Sequence, residues 1–202
     1  MRDIDEIVVH CAATRADLFA GSSVGFKIAE VTKWHKARKF RTIGYHFLID
    51  RDGAVGIGRP VSEQGAHVKG RNRNTIGICL WGGHGGSTDD EFFEHFTAEQ
   101  DKALRRLIAD LERDYGPSLR LSGHHEYANK ACPCFNVREW YDAEPMVPES
   151  PVFVPTQKPA APPLQESDAL RKVDAARRRL RWLLKEISDT ALAALKEDDL
   201  ND

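Results

Sequence analysis

The chain has 202 residues, enough for one ordinary domain with an appendage. Hydrophobic residues make up 41% and charged residues 30%, a soluble globular mix that is neither disordered overall nor membrane-embedded. With 29 Lys plus Arg against 31 Asp plus Glu, the net charge of −2 argues against broad binding to nucleic acid.

In chain order, MRDIDEIVVH carries acids and runs straight into a strand-like segment, without the basic start and apolar stretch of a secretory signal. The expectation is a chain that stays in the cytoplasm of the cell that makes it. Ile7, Val8 and Val9 read as a buried strand ending at His10. Val24 to Arg38 reads as a helix with Phe26, Ile28, Val31 and Trp34 on its apolar side. Tyr45 to Ile49 and Ala54 to Ile57 flank an Asp52-Gly53 pair, the signature of a hairpin. Ile76 to Trp81 is another apolar strand, followed by a Gly-rich loop. That loop lacks the lysine and following helix of a phosphate cradle. Thr97 and Gln100 form a capping box for a helix carrying Leu104, Leu107, Ile108, Leu111 and Tyr115, which stops at Gly116-Pro117. Leu119 to Leu121 is a short strand leading into GHHEYANKACPCF at 123–135. Strands alternating with helices predict an α/β fold with a mixed central β-sheet flanked by helices.

From Glu144 to Pro163 the composition shifts, with seven of the ten prolines in that stretch. The predicted organisation is a domain at 1–143, a Pro-rich linker at 144–165 and an amphipathic C-terminal helix at 166–202. Leu170, Val173, Leu180, Leu184 and Ile187 follow three-four spacing in that helix. Self-association, docking on the domain, contact with an anionic membrane surface through its arginines and Trp182, and binding of another protein are all open for it; self-association or docking is favoured.

The chemistry-bearing side chains are His10, His124, His125, Cys132 and Cys134. His10 ends the first strand and the others follow the last, and sites of α/β sheets gather at strand ends. Two imidazoles and one thiolate make a three-ligand zinc site with a position open to water. The competing reading is a core histidine and an ordinary loop. Cys11, one residue beyond His10 on a strand, points to the opposite face and reads as a small buried residue, like Cys79. Cys134 is open to competing for the metal or to a strained link with Cys132, although Pro133 stiffens the turn between them. Lys69, Arg71 and Arg73 read equally as a solvated loop or as a groove edge meeting carboxylates.

The segments VVHCAAT (8–14), IGYHFLIDRDG (43–53), GAHVKGRN (65–72), TIGICLWGG (75–83) and HHEYANKACPCF (124–135) resemble the phage lysozyme-type N-acetylmuramoyl-L-alanine amidases. Those belong to the superfamily that includes the peptidoglycan recognition proteins. The resemblance implies zinc bound by His10, His124 and Cys132. It implies Tyr45 and Lys130 as catalytic residues and His67 as a residue lining the substrate groove. Cys134 departs from the pattern, and Glu126 is left without a role. The implied reaction is hydrolysis of the amide between N-acetylmuramic acid and L-alanine in peptidoglycan, with zinc lowering the pKa of water toward about 7. The implied setting is a phage or prophage endolysin, made in the host cytoplasm and reaching the wall after membrane permeabilisation. The alternatives are a cell's own wall-recycling amidase, a non-catalytic peptidoglycan-binding module, and an amidase that also binds an RNA polymerase. Retention of Cys132 favours the enzyme over the binding module.

Overall fold

The computed structural model of the chain describes residues 2–143. The expected linker at 144–165 and helix at 166–202 lie outside the described residues. Within them, no helix is long and apolar enough to cross a membrane.

Five strands form one mixed sheet: β1 (Glu6–Cys11), β2 (Phe47–Ile49), β3 (Val55–Ile57), β4 (Thr75–Leu80) and β5 (Arg120–Gly123), in the order β3-β2-β4-β1-β5. Only β3 runs antiparallel, returning from β2 through the turn that Asp52-Gly53 predicts. Gly53 sits at φ 81°, the left-handed conformation such a turn demands. All six residues of β1 and of β4 are buried, as expected of parallel strands covered on both faces.

Alternation along β1 sends Ile7, Val9 and Cys11 to one face, where they pack with Leu104, Ile108 and Leu111 of α3 (Ala98–Tyr115). The predicted capping box opens α3: Thr97 and Gln100 exchange side-chain and backbone hydrogen bonds, each at 3.1 Å. Gln100 is itself buried and donates through Nε2 to the carbonyls of Ile49 and Trp81, tying the ends of β2 and β4 together. On the opposite face Ile43, Leu48 and Trp81 cluster with Val31 of α1 (Val24–Ala37).

The inward side of α1 differs from the expected stripe. Phe26 and Trp34 stay 44% and 36% exposed, while Lys27, Val31 and His35 are buried. Lys27 can be buried because both carboxylate oxygens of Asp50 accept from its Nζ, at 2.5 and 2.7 Å. A charge with its partner beneath the helix outweighs the apolar periodicity. Two short helices, α2 (Phe92–His95) and α4 (Val137–Asp142), have no counterpart in the sequence reading. They are too short for a 3.6-residue period to register.

Candidate metal centre and active site

The C-terminal end of β1 and the turn after β5 meet, because the two strands are hydrogen-bonded neighbours from Glu6↔Arg120 to Val9↔Gly123. His10 lies one residue past that register. His124 begins the 3-10 turn His124–Glu126, and Cys132 follows on the returning loop. Their donor atoms lie within 4.8 Å of one another. His10 Nδ1 stands 3.2 Å from His124 Nδ1 and 3.9 Å from Cys132 Sγ.

Tetrahedral zinc with ordinary Zn–N and Zn–S lengths separates two nitrogens by roughly 3.3 Å and a nitrogen and sulfur by roughly 3.6 Å. The donor set and its spacing fit that ion. The backbone N–H of Cys11 donates to Cys132 Sγ at 3.3 Å and orients the sulfur, while the Cys11 thiol and burial push the Cys132 thiol up.

Burial holds His10 well below the usual histidine range, reinforced by His67, His124 and Lys130. His124 is lowered by burial and then by Lys130. Both imidazoles are therefore neutral at pH 7, the state a metal requires. Lys130 is exposed on the loop before Cys132 and stands within electrostatic reach of both rings. It also borders a cleft of about 870 Å³ walled in part by Phe93, His125, Asn129 and Trp140, which none of the three donors lines.

Tyr45 packs against His10 with ring centroids 5.0 Å apart and against His35 at 5.2 Å. His35 is fixed in turn by the N–H of Gly44, which donates to its Nδ1 at 2.9 Å. Removal from water, with the thiols of Cys79, Cys132 and Cys11 nearby, pushes the Tyr45 phenol well above its ordinary pKa, so it keeps its proton.

His67 lies beside His10 and is only 8% exposed. Both of its ring nitrogens are engaged, Nδ1 with His10 Nε2 at 3.0 Å and Nε2 with Thr75 Oγ1 at 3.3 Å. Both ring nitrogens are thus occupied within the protein, and the ring lies on the side of His10 away from His124 and Cys132. Burial lowers its pKa to about 3. His46, to which the sequence reading gave no role, packs edge-on against His67 at 5.6 Å. The result is a row of four imidazoles, 46, 67, 10 and 124. No sequence spacing could reveal the row, since its members come from four separate segments.

The main-chain N–H of His125 donates to the Cys132 carbonyl at 2.8 Å, and its ring Nδ1 stands 3.3 Å from the same oxygen. Glu126 Oε1 accepts from the Gly123 N–H at 2.8 Å, and Oε2 accepts from Arg120 at 2.7 Å. It closes the turn that presents His124. Arg71 pairs with the buried Glu6 at 3.0 Å.

Cys134 turns to Cys11, Sγ to Sγ 3.7 Å, and all four cysteines are free thiols. The Cys134 thiol also reaches the carbonyls of Gly83 and Ala131, both at 3.3 Å. A serine hydroxyl can make the same bonds. Cys134→Ser is therefore expected to leave zinc content unchanged and lower stability by about 1 kcal/mol, read by metal analysis and urea melts. Loss of zinc from that variant would put Cys134 among the ligands.

The fold is that of amidase and peptidoglycan-recognition domains. The Drosophila peptidoglycan recognition protein PGRP-LB superposes with a TM-score of 0.55 at 23% identity, over 66% of this chain and 76% of that one. The N-acetylmuramoyl-L-alanine amidase LysC from Clostridium intestinale URNW gives 0.55 at 26% identity, over 69% and 83%. The endolysin of Escherichia phage T7 is 40% identical over 145 residues, 71% of this chain and 89% of that protein. The endolysin of Klebsiella phage KP32 is 38% identical over 146 residues, 72% and 91% respectively. The N-acetylmuramoyl-L-alanine amidase family model matches residues 1–135, and the chain belongs to that family. Its activity is hydrolysis of the amide that joins the peptide to muramic acid in peptidoglycan.

Proposed function

We propose that the chain is a zinc-dependent endolysin amidase, with His10, His124 and Cys132 as the ligands and Lys130 and Tyr45 as the catalytic side chains. The convergence of three metal donors from opposite ends of the domain carries this reading. The names of the phage relatives support the setting: a host cytoplasm in which the enzyme is made, and a wall that it reaches once the membrane is opened.

When bound, zinc supplies Lewis acidity, making water a competent nucleophile near neutral pH. His10, His124 and Cys132 would hold the ion, a three-donor set of the kind that catalytic rather than structural zinc uses. Water adds to the lactyl carbonyl carbon, the C–N bond breaks, and the amine of the first peptide residue leaves with a proton. Lys130 offers a fixed positive charge to the oxygen on which negative charge grows. Tyr45, protonated and held against His10, offers a hydrogen bond to the attacking water or the tetrahedral centre.

The test mixes the purified full chain with peptidoglycan sacculi and counts freed amino termini, alongside zinc analysis of the protein as isolated. One zinc per chain, and release stopped by chelator and restored by zinc, is the expected result. Binding to sacculi with no new amino termini would leave only a recognition module.

A further inference from the structure

We propose that His67 and Thr75 are positioning residues that decide which nitrogen of His10 is offered to the metal. The inference rests on the zinc-centre reading above and deepens it. Thr75 Oγ1 donates its single hydrogen to the Arg71 carbonyl at 2.8 Å. Its lone pairs then face His67 Nε2 at 3.3 Å, so that nitrogen carries a hydrogen. A neutral imidazole has one N–H, which makes His67 Nδ1 an acceptor. His10 Nε2, 3.0 Å away, supplies the hydrogen. His10 Nδ1 is left bare, and it is this nitrogen that faces His124 Nδ1 and Cys132 Sγ.

The opposite polarity is also self-consistent along the histidines, but it fails at its origin. It needs Thr75 to turn its hydrogen from the shorter bond at 2.8 Å to the longer one at 3.3 Å and to abandon a main-chain carbonyl. It would also place a hydrogen on His10 Nδ1, in the metal's position. The Arg71 carbonyl thus sets the sense of the whole chain. Ligand histidines generally depend on such a partner at the far nitrogen.

The surroundings are built to hold His67 in place. On β4, Gly77 stands in the row opposite Val8, and a Cβ there would lie 2.6 Å from His67 Cγ. A Cβ on Gly65 would lie 2.5 Å from His67 Cδ2. Two missing side chains make the slot. Asn72 Oδ1 accepts from the N–H groups of both His67 and Val68, at 2.8 and 2.9 Å, fixing the main chain beneath the ring.

The test compares zinc affinity, by competition with a chromogenic chelator, in the full-length wild type, Thr75→Val and Thr75→Ser. Valine keeps the shape and the strand preference but removes the acceptor. An affinity loss of about tenfold to a hundredfold is expected for valine, with recovery in serine, which restores the hydroxyl. Nitrogen-15 NMR of the metal-free wild type gives a second readout, independent of any variant: His10 is expected with its hydrogen on Nε2. Equal affinity in wild type and Thr75→Val, or a His10 hydrogen on Nδ1, overturns the proposal while leaving the zinc centre standing. A wild type that takes up no zinc removes the centre itself, and this inference with it.

Discussion

Lys130→Ala is expected to lower the rate of amide cleavage by about 10²–10³-fold while one zinc per chain is retained. The side chain is exposed on a loop, and the described hydrogen bonds of Lys130 are main-chain ones, to Ala128 and from Cys132. Removing its charge therefore disturbs no packing. What is lost is a cation beside the metal donors, one close enough to depress both ligand imidazoles. Because that charge matters most when negative charge develops on the substrate oxygen, the loss falls on kcat more than on KM. Single-turnover cleavage of sacculi, with zinc analysis of the same sample, separates the two effects. A variant that cleaves at the wild-type rate would remove Lys130 from catalysis. One that also lost its zinc would make the lysine a structural support.

The metal-free protein is expected to lose stability steeply as pH falls from 6.5 toward 4. Burial lowers His46 and His35 to about 4 and His67 to about 3. The sign follows from proton binding. Above pH 6.5 these rings are neutral in both the folded and the unfolded chain, and nothing is lost. Below it the unfolded chain takes up protons that the folded one refuses, so acid favours unfolding until the folded values are reached. At pH 5, His46 and His67 each lose on the order of 2 kcal/mol in this way, against a typical domain stability of about 5–15 kcal/mol. Thermal melts of the chelated chain between pH 7.5 and 4.5 read this directly. The part of the window above about pH 5.5 lies clear of the range in which ordinary carboxylates titrate, so the loss there reports the histidines. A Tm that holds steady down to pH 5 would mean that these rings are wetter than the packing indicates.

Much of the frame is legible in the residues. The apolar runs at Ile7–Val9 and Ile76–Trp81 are covered on both faces and need no partner to declare themselves. Asp52-Gly53 and the Thr97–Gln100 box are local devices with local signatures. The likeness of their segments, rather than spacing, singles out His10, His124 and Cys132, whose donor atoms the fold brings within 4.8 Å of one another. The less legible features depend on neighbours remote in sequence. Lys27 faces inward because of Asp50, which no helical period encodes. Cys134 meets Cys11 from 123 residues away. The His67 ring takes the space that Gly77 leaves beside His10, a juxtaposition its own segment does not encode.

The strand order has a consequence for the chain as it is made. β1 lies between β4 and β5, and His10 sits at its end while His124 and Cys132 follow β5, the last strand among the described residues. A polypeptide halted after Leu80 owns His10, the His67 slot and most of the sheet, but neither of the remaining donors. Translation must pass residue 132 before the proposed coordination set is complete, so shorter fragments lack the site on which the proposed zinc chemistry depends.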